Sequence, residues 1–506
     1  MTRHCLSFLL GPAAFTFLAL RLAAETATEQ WVHAQVAAGK SADLAKRSPN
    51  DRAGRVLSAA FLAKMLGAQS GLSDSAGISI YHGVVAGALN LERLDAAYDV
   101  ELNGFEFEGP VDLAGAHFHR SLYVTQSVFG KSLDGYRLVV DGDLAIGGPP
   151  LNTAGVDAKF GSNVSVRFAT VGGQLAAQRA HFQGPADFSG IEVHGRGVFE
   201  KSDFADSASF TLASFGGEAN FKEANFTRAD RVAVFNSMKV GYLAAFDLSQ
   251  FAGDADFSHT RIASNFQATG MKLTGAGHTA RFSYMRVEKF ALENADFSQG
   301  SVQMVGLAAT DLDLKDVKWP TNRDRFVCED VTYGRISVIV NNVSALLKWP
   351  ASSAYSSSTY AALASYLEDR GSPEDASAVR VDRQWREAET LNPFHWIWNR
   401  LEFLACGYGQ RPWYAFVWIG IFVAFGWWLF RDKIGMQLID QKQADPGYDA
   451  FWYSLGLFLP VVDIGLIKAW RPNPDRRFAH SYAQIHVLLG WVFVPIAVAS
   501  ITGILK

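Results

Sequence analysis

Ala208-Ser-Phe-Thr-Leu-Ala-Ser-Phe-Gly-Gly-Glu-Ala-Asn-Phe-Lys-Glu-Ala-Asn-Phe226 is the stretch that decides the fold. In it a small residue, a variable residue and a phenylalanine keep returning. The unit Ala-x-Phe starts at Ala208, Ala213, Ala219 and Ala224, with outlying copies at Ala116, Ala180, Ala186, Ala233, Ala255, Ala280 and Ala295. Neither an α-helix nor a plain strand has this spacing. Residues two apart in an extended segment share a face, so each unit sends its alanine and its phenylalanine to the same side. Self-similarity of this kind over a long span means stacked units that bury their apolar faces only against one another.

Outward from that stretch, short alternating pairs such as Ile78-Ser-Ile80, Phe105-Glu-Phe107 and Val111-Asp-Leu113 read as very short strands separated by turns. The sequence here resembles the pentapeptide-repeat proteins, on Ala186-Asp-Phe188, Ala219-Asn-Phe221, Ala224-Asn-Phe226, Ala255-Asp-Phe257 and Ala295-Asp-Phe297. The resemblance covers roughly residues 78–318. It implies a mainly β fold, a right-handed quadrilateral β-helix with four short faces per coil. Six-residue spacings, as between Phe251 and Phe257, and a degenerate segment over 145–178 predict bulges or loops. The repeat fades near Trp319-Pro320, and the β-helix is assigned to 78–348.

The regions before it read as a signal peptide over 1–24, with a basic start, an apolar run to Leu20 and small residues at Ala23 and Ala24, then a lead-in and cap helix over 25–77. Residues 25–50 lack strong periodicity. Val56, Leu57, Phe61, Leu62, Met65 and Leu66 recur at helical spacing ahead of Gly67, as suits a helix covering the open end of the first coil.

After the repeats come a helical hairpin and an interfacial helix over 349–411. The second hairpin helix opens with Ser372-Pro-Glu-Asp375, a cap followed by proline in the first turn. Tyr360, Leu363 and Leu367 are placed to pack on Ala376, Val379 and Trp385. Phe394, Ile397, Trp398, Leu401 and Leu404 form an apolar face suited to the membrane surface. Residues 412–506 form a membrane domain, with spans at 413–430 and 487–505 and a re-entrant-like segment at 451–465, broken by Pro460. This order resembles the two-helix pore module of potassium-type channels. It resembles more closely a group of bacterial membrane proteins that join a degenerate repeat β-helix to such a tail. Where a potassium filter has Thr-Val-Gly-Tyr-Gly, this chain has Val461-Val-Asp-Ile-Gly465.

Pro460, Asp463, Gly465 and His486 are the pore-like or membrane-buried candidates. Asp463 is the one acid of the broken segment, and His486 is placed just before the second span. Basic residues between the spans, including Arg431, Lys433, Lys442, Lys468 and Arg471, put that loop in the cytoplasm and the repeats outside it. The inward phenylalanines leave recognition to variable residues, with Glu218, Lys222, Glu223, Arg228 and Asp230 as candidates.

A net charge of −4 gives no basis for nucleic-acid binding. No phosphate loop, Cys/His metal spacing or nucleophile elbow is present, so no catalytic residue, cofactor or metal is assigned. His117-Phe-His119 puts two imidazoles on one strand face that could hold a metal, but no further ligand is apparent and the pair reads as solvated. The expected partners are the lipid bilayer, a protein bound through the β-helix, and a second copy of the chain through the spans. The favoured function is a scaffold anchored in a bacterial inner membrane. A channel-like subunit, with the β-helix as sensor or assembly domain, is the alternative.

Overall fold

The computed structural model describes residues 25–67, 77–150, 153–337, 343–411, 413–439, 447–459 and 466–502. The signal-peptide segment, Pro460, Asp463 and Gly465 lie outside them. The repeats form a β-solenoid of about 12 turns in parallel sheets, followed by helices. The chain divides into two compact units, Met1–Ala205 and Asp206–Lys506.

In the first unit, four strands of two to four residues make each coil, and each pairs in parallel with the strand four further on. His117 aligns with Asp95, Leu122 with Val100, Phe129 with Phe107 and Leu133 with Val111. The coil period is thus 22 residues, the separation that recurs in coil-to-coil hydrogen bonds such as that of the Phe105 N–H to Ser127. His82, Arg93, Gln126 and Arg137 take up left-handed backbone at half-coil positions, as do Gly104 and Gly115. Each coil turns sharply at two such corners. One coil is longer: Leu133 and Leu144 align with Val164 and Leu175 across extra residues inserted around Pro149–Val156. That insertion is the physical content of the degenerate 145–178 segment.

Strand pairing begins earlier than residue 78. Ala42–Asp43 pairs with Ile80–Tyr81, and Val56–Ser58 pairs with Val84–Ala86. The lead-in is also ordered, as helix α1 (Ala27–Ala37), where Thr26 and Glu29 form a reciprocal capping box. Glu29 accepts further bonds from the Ser58 N–H at 2.8 Å and the Ser58 hydroxyl at 2.6 Å, tying α1 to the first coil. Helix α2 (Ala59–Leu66) buries Phe61, Leu62, Met65 and Leu66 over that coil. Leu66 lines the same apolar interior as Leu89, Leu102 and Leu122.

Aromatic columns fill the core. In the first unit Phe107, Phe129, Phe160, Phe182 and Phe204 stack successively at 4.7, 4.8, 4.9 and 4.9 Å between centroids. This matches the spacing of neighbouring strands, about 4.8 Å, so backbone pairing and ring stacking share one period. In the second unit Phe210, Phe235, Phe257 and Phe282 form a column at 5.3, 4.8 and 5.3 Å. A neighbouring column of Phe221, Phe246, Phe266 and Phe290 meets it edge to face, as at Phe235 and Phe246. Trp319 does not end the solenoid. It stacks on Phe326 at 4.2 Å, and the strands Phe326–Glu329 and Thr332–Ser337 add a further coil.

Residues 343–348, assigned to the β-helix from sequence, are the start of helix α3 (Val343–Ser352). Helices α4 (Ser357–Asp369) and α5 (Pro373–Glu387) form the hairpin, with Tyr360, Leu363, Leu367, Ala376 and Val379 all buried. Ser372 makes no side-chain cap bond, and Trp385 faces outward, where the Arg400 guanidinium lies 3.3 Å from its ring centre. The buried Arg386 holds the group together by donating to the carbonyls of Pro350 and Ser353 at 2.8 and 2.9 Å. The Thr359 hydroxyl donates to the Cys328 carbonyl at 2.6 Å and fastens α4 to the last coil.

Candidate functional site

Helix α6 (Pro393–Cys406) starts on an Asn392 cap, with proline in the first turn, and ends on left-handed Gly407. Phe394, Ile397, Trp398, Leu401 and Leu404 are all exposed. The apolar face read from the sequence therefore has no protein partner among the described residues. The helix is joined to α7 (Trp413–Phe430) by a bond from the Trp418 indole to the Leu404 carbonyl at 2.8 Å.

α7 and α9 (Arg477–Thr502) carry the two stretches long and apolar enough to cross a membrane, Trp413–Phe430 and Arg477–Ala499. Their 18 and 23 residues span about 27 and 35 Å, against a hydrocarbon core of about 30 Å. Between them, Ala450–Phe458 forms the short helix α8, capped by the Asp449 carboxylate on the Phe451 and Trp452 N–H groups. Outward-facing side chains on the long helices include Phe416, Ile421, Trp428, Leu488 and Trp491. Water is a poor solvent for so continuous an apolar surface.

The three helices pack through small residues. A Cβ on Gly490 would lie 1.9 Å from the Phe458 carbonyl oxygen, and one on Gly426 would lie 2.3 Å from the Ser454 hydroxyl oxygen. Close approach of this kind is how membrane helices gain packing energy. His486 sits at the crossing, 0 % exposed and inside helix α9 instead of before it. The apolar helix starts at Arg477, ahead of the span expected at 487–505, because the polar Arg477, His480 and Gln484 mask its beginning. The His486 Nε2 lies 3.1 Å from the Ser454 carbonyl oxygen and its Nδ1 3.1 Å from the Tyr482 hydroxyl. The Ser454 hydroxyl donates to the Val423 carbonyl at 2.9 Å. Both imidazole nitrogens thus have partners, and the ring bridges α8 and α9. The loop side carries the antiparallel pair Met436–Leu438 and Trp470–Pro472, with Arg476 bound to Asp432 at 2.7 Å.

On the solenoid, the structure brings together two of the five surface candidates. Arg228 pairs with Asp230 at 2.8 Å and approaches Asp206 at 3.7 Å, while Arg231 pairs with Asp206 at 3.1 Å. The Arg228 guanidinium holds the Asp230 carboxyl below the usual carboxylate range. Lys222 lies instead 3.8 Å from Asp247; Glu223 is an exposed corner residue with left-handed backbone, and Glu218 is half-buried. Asp206, Arg231 and Asp247 are legible as partners only once both coil lengths, 22 and 25 residues, are known. Arg231 stands 25 residues after Asp206 and Asp247 25 after Lys222, the longer coil of this region, whereas Arg228 stands 22 after Asp206, the period of the first unit.

The same period completes His117-Phe-His119. Phe118 points into the core and both histidines point out. Asp95, one coil before, lies 2.8 Å from the His119 Nε2. Asp141, one coil after, lies 3.1 Å from the His117 Nε2 and 3.4 Å from the His119 Nδ1.

The family described as pentapeptide repeats, in nine copies, matches residues 177–225. The chain carries pentapeptide repeats. The match covers all but the last residue of the stretch Ala208–Phe226, with the densest Ala-x-Phe units, and includes Phe210. No curated protein and no solved structure matches the chain. A pentapeptide-repeat solenoid followed by two candidate membrane helices fits a membrane-anchored repeat protein.

Proposed function

We propose that this chain is a scaffold of the bacterial inner membrane whose solenoid presents a rigid interaction surface outside the cytoplasm. The observation that carries the reading is the contrast between two surfaces. The faces of α6, α7 and α9 are apolar and exposed, as suits contact with lipid, whereas the solenoid faces carry the mixed charges of Arg228, Asp230, Arg231 and Asp206. α6 lies in the membrane surface with its aromatic face down, next to the first span. The basic loop after α7 stays inside by the positive-inside bias, which sends the solenoid to the other side. Side chains that project from stacked coils are held in fixed register by backbone pairing, so they form a surface that keeps its shape on binding.

The interaction role is tested by placing a photoreactive amino acid at Glu223 or Arg228 in the full-length chain in cells. A discrete cross-linked species at these positions, lost with Asp230→Arg, is expected. Cross-linking to lipid alone, or none at either position, would remove the interaction role.

A further inference from the structure

We infer that Asp95, His117 and His119 form a surface site for a divalent transition-metal ion, with Asp141 as the orienting partner of His117. The three side chains each offer one ligand atom, and these atoms lie within 4.8 Å of one another. The two rings face the same way because His117, on the strand, and His119, just after it, flank the buried Phe118, and their centroids are 3.9 Å apart. Parallel pairing sets His117 directly against Asp95 in the coil before. The backbone, and not a flexible loop, therefore fixes three of the four groups.

Charge points the same way. A neutral imidazole donates through one nitrogen only. His119 has a carboxylate oxygen near each nitrogen, Asp95 at 2.8 Å and Asp141 at 3.4 Å. The lone pair on its other nitrogen would then face a carboxylate. A cation among the four side chains removes the conflict, and two carboxylates balance the charge of a divalent ion. A comparable histidine elsewhere shows a different solution: His181 lies between Asp157 and Asp203 at 3.0 and 2.7 Å, and Arg179 supplies a positive charge to Asp157 at 2.7 Å. Among the described residues no lysine or arginine pairs with Asp95 or Asp141.

Two imidazoles with carboxylate oxygen suit zinc, cobalt, nickel or copper and disfavour calcium and magnesium, which take all-oxygen shells. Asp141 on His117 is the carboxylate–histidine contact that fixes a ligand ring. Ligand atoms of a tetrahedral ion with bonds of about 2.0–2.1 Å are about 3.3 Å apart, so closure needs only side-chain rotation.

The test uses untagged full-length protein in detergent, stripped with chelator and then titrated with Co²⁺ and with Zn²⁺. Expected are visible cobalt d–d absorption at one ion per chain, its displacement by zinc, and a rise in melting temperature with metal. His117→Ala, His119→Ala and Asp95→Asn should each abolish the signal with an unchanged metal-free melting temperature, while Asp141→Asn weakens affinity by about tenfold or more. His181→Ala should bind as the wild type does. No stoichiometric binding by the wild type, or binding that survives His119→Ala, would overturn the site.

Discussion

Replacing Phe235 by alanine should be among the most damaging single changes in the solenoid. Its ring is 0 % exposed. It stacks on Phe210 at 5.3 Å and Phe257 at 4.8 Å, and meets Phe221, Phe226 and Phe246 edge to face at 5.2, 5.7 and 5.0 Å. Truncating a buried phenylalanine costs about 3–5 kcal/mol in transfer and cavity terms, and aromatic pairs add about 0.5–1.5 kcal/mol beyond area. The upper half of the first range, about 4–5 kcal/mol, is therefore expected. At roughly 2–4 °C per kcal/mol for a unit of this size, the melting temperature should fall by about 8–20 °C. Far-ultraviolet circular dichroism of the detergent-solubilised chain, at one scan rate, reads this shift. Leu212 is the matched control: 60 % exposed at a left-handed corner, its alanine variant should stay within about 0.5 kcal/mol of wild type. Phe235→Leu should recover most of the loss. Equal shifts for Phe235→Ala and Leu212→Ala would refute the assignment of inward and outward positions.

Two further perturbations address the two ends of the chain. Gly490→Ala places a methyl against the Phe458 carbonyl; it should cost about 1–3 kcal/mol and lower the fraction of monodisperse protein in size-exclusion chromatography, whereas Gly420→Ala, which meets nothing within 4 Å, should not. At the other end, burial pushes the Glu29 carboxyl toward protonation, but bonds from the Ser58 hydroxyl and from the Thr26 and Ser58 N–H groups outweigh it and hold it below the ordinary 4.5. The stabilisation it gives is complete above that ordinary value and disappears as pH falls through the lower folded one. Glu29→Gln should cost about 1.5–3 kcal/mol at neutral pH and flatten the acid limb of a stability-against-pH curve; an unchanged acid limb would show that Glu29 does not carry it.

The Ala-x-Phe ladder made the solenoid legible, because side-chain direction in an extended chain depends on spacing alone. The coil length was harder to read. Units at five- and six-residue spacing hide coils of 22 and 25 residues, so the partners of Arg228 and His117 stay unreadable while the Ala-x-Phe unit is in plain view. α1 was missed although Thr26 and Glu29 spell a capping box, since the Ala-rich helix that follows has little apolar periodicity. The repeat fades at Trp319 because a tryptophan takes the place of phenylalanine in the stack, although the β-helix assigned to 78–348 includes the coil that follows. His486 was put outside its helix because its burial depends on Ser454 and Tyr482, one from a separate segment and one a turn earlier, and not on local hydropathy.

If the apolar helices hold the solenoid on the side of the membrane opposite the basic loop, as proposed, cysteine accessibility separates the two sides. Cys328 can remain, since burial pushes its thiol up to about 12 and thiolate is the reactive form. In a chain with Cys5 and Cys406 changed to serine, a cysteine is placed at Leu212 or at Lys433 and bacterial spheroplasts are treated with a membrane-impermeant maleimide. Leu212→Cys should be labelled in intact spheroplasts and Lys433→Cys only after lysis. Labelling of Lys433→Cys in intact spheroplasts, with Leu212→Cys protected until lysis, would contradict the proposal.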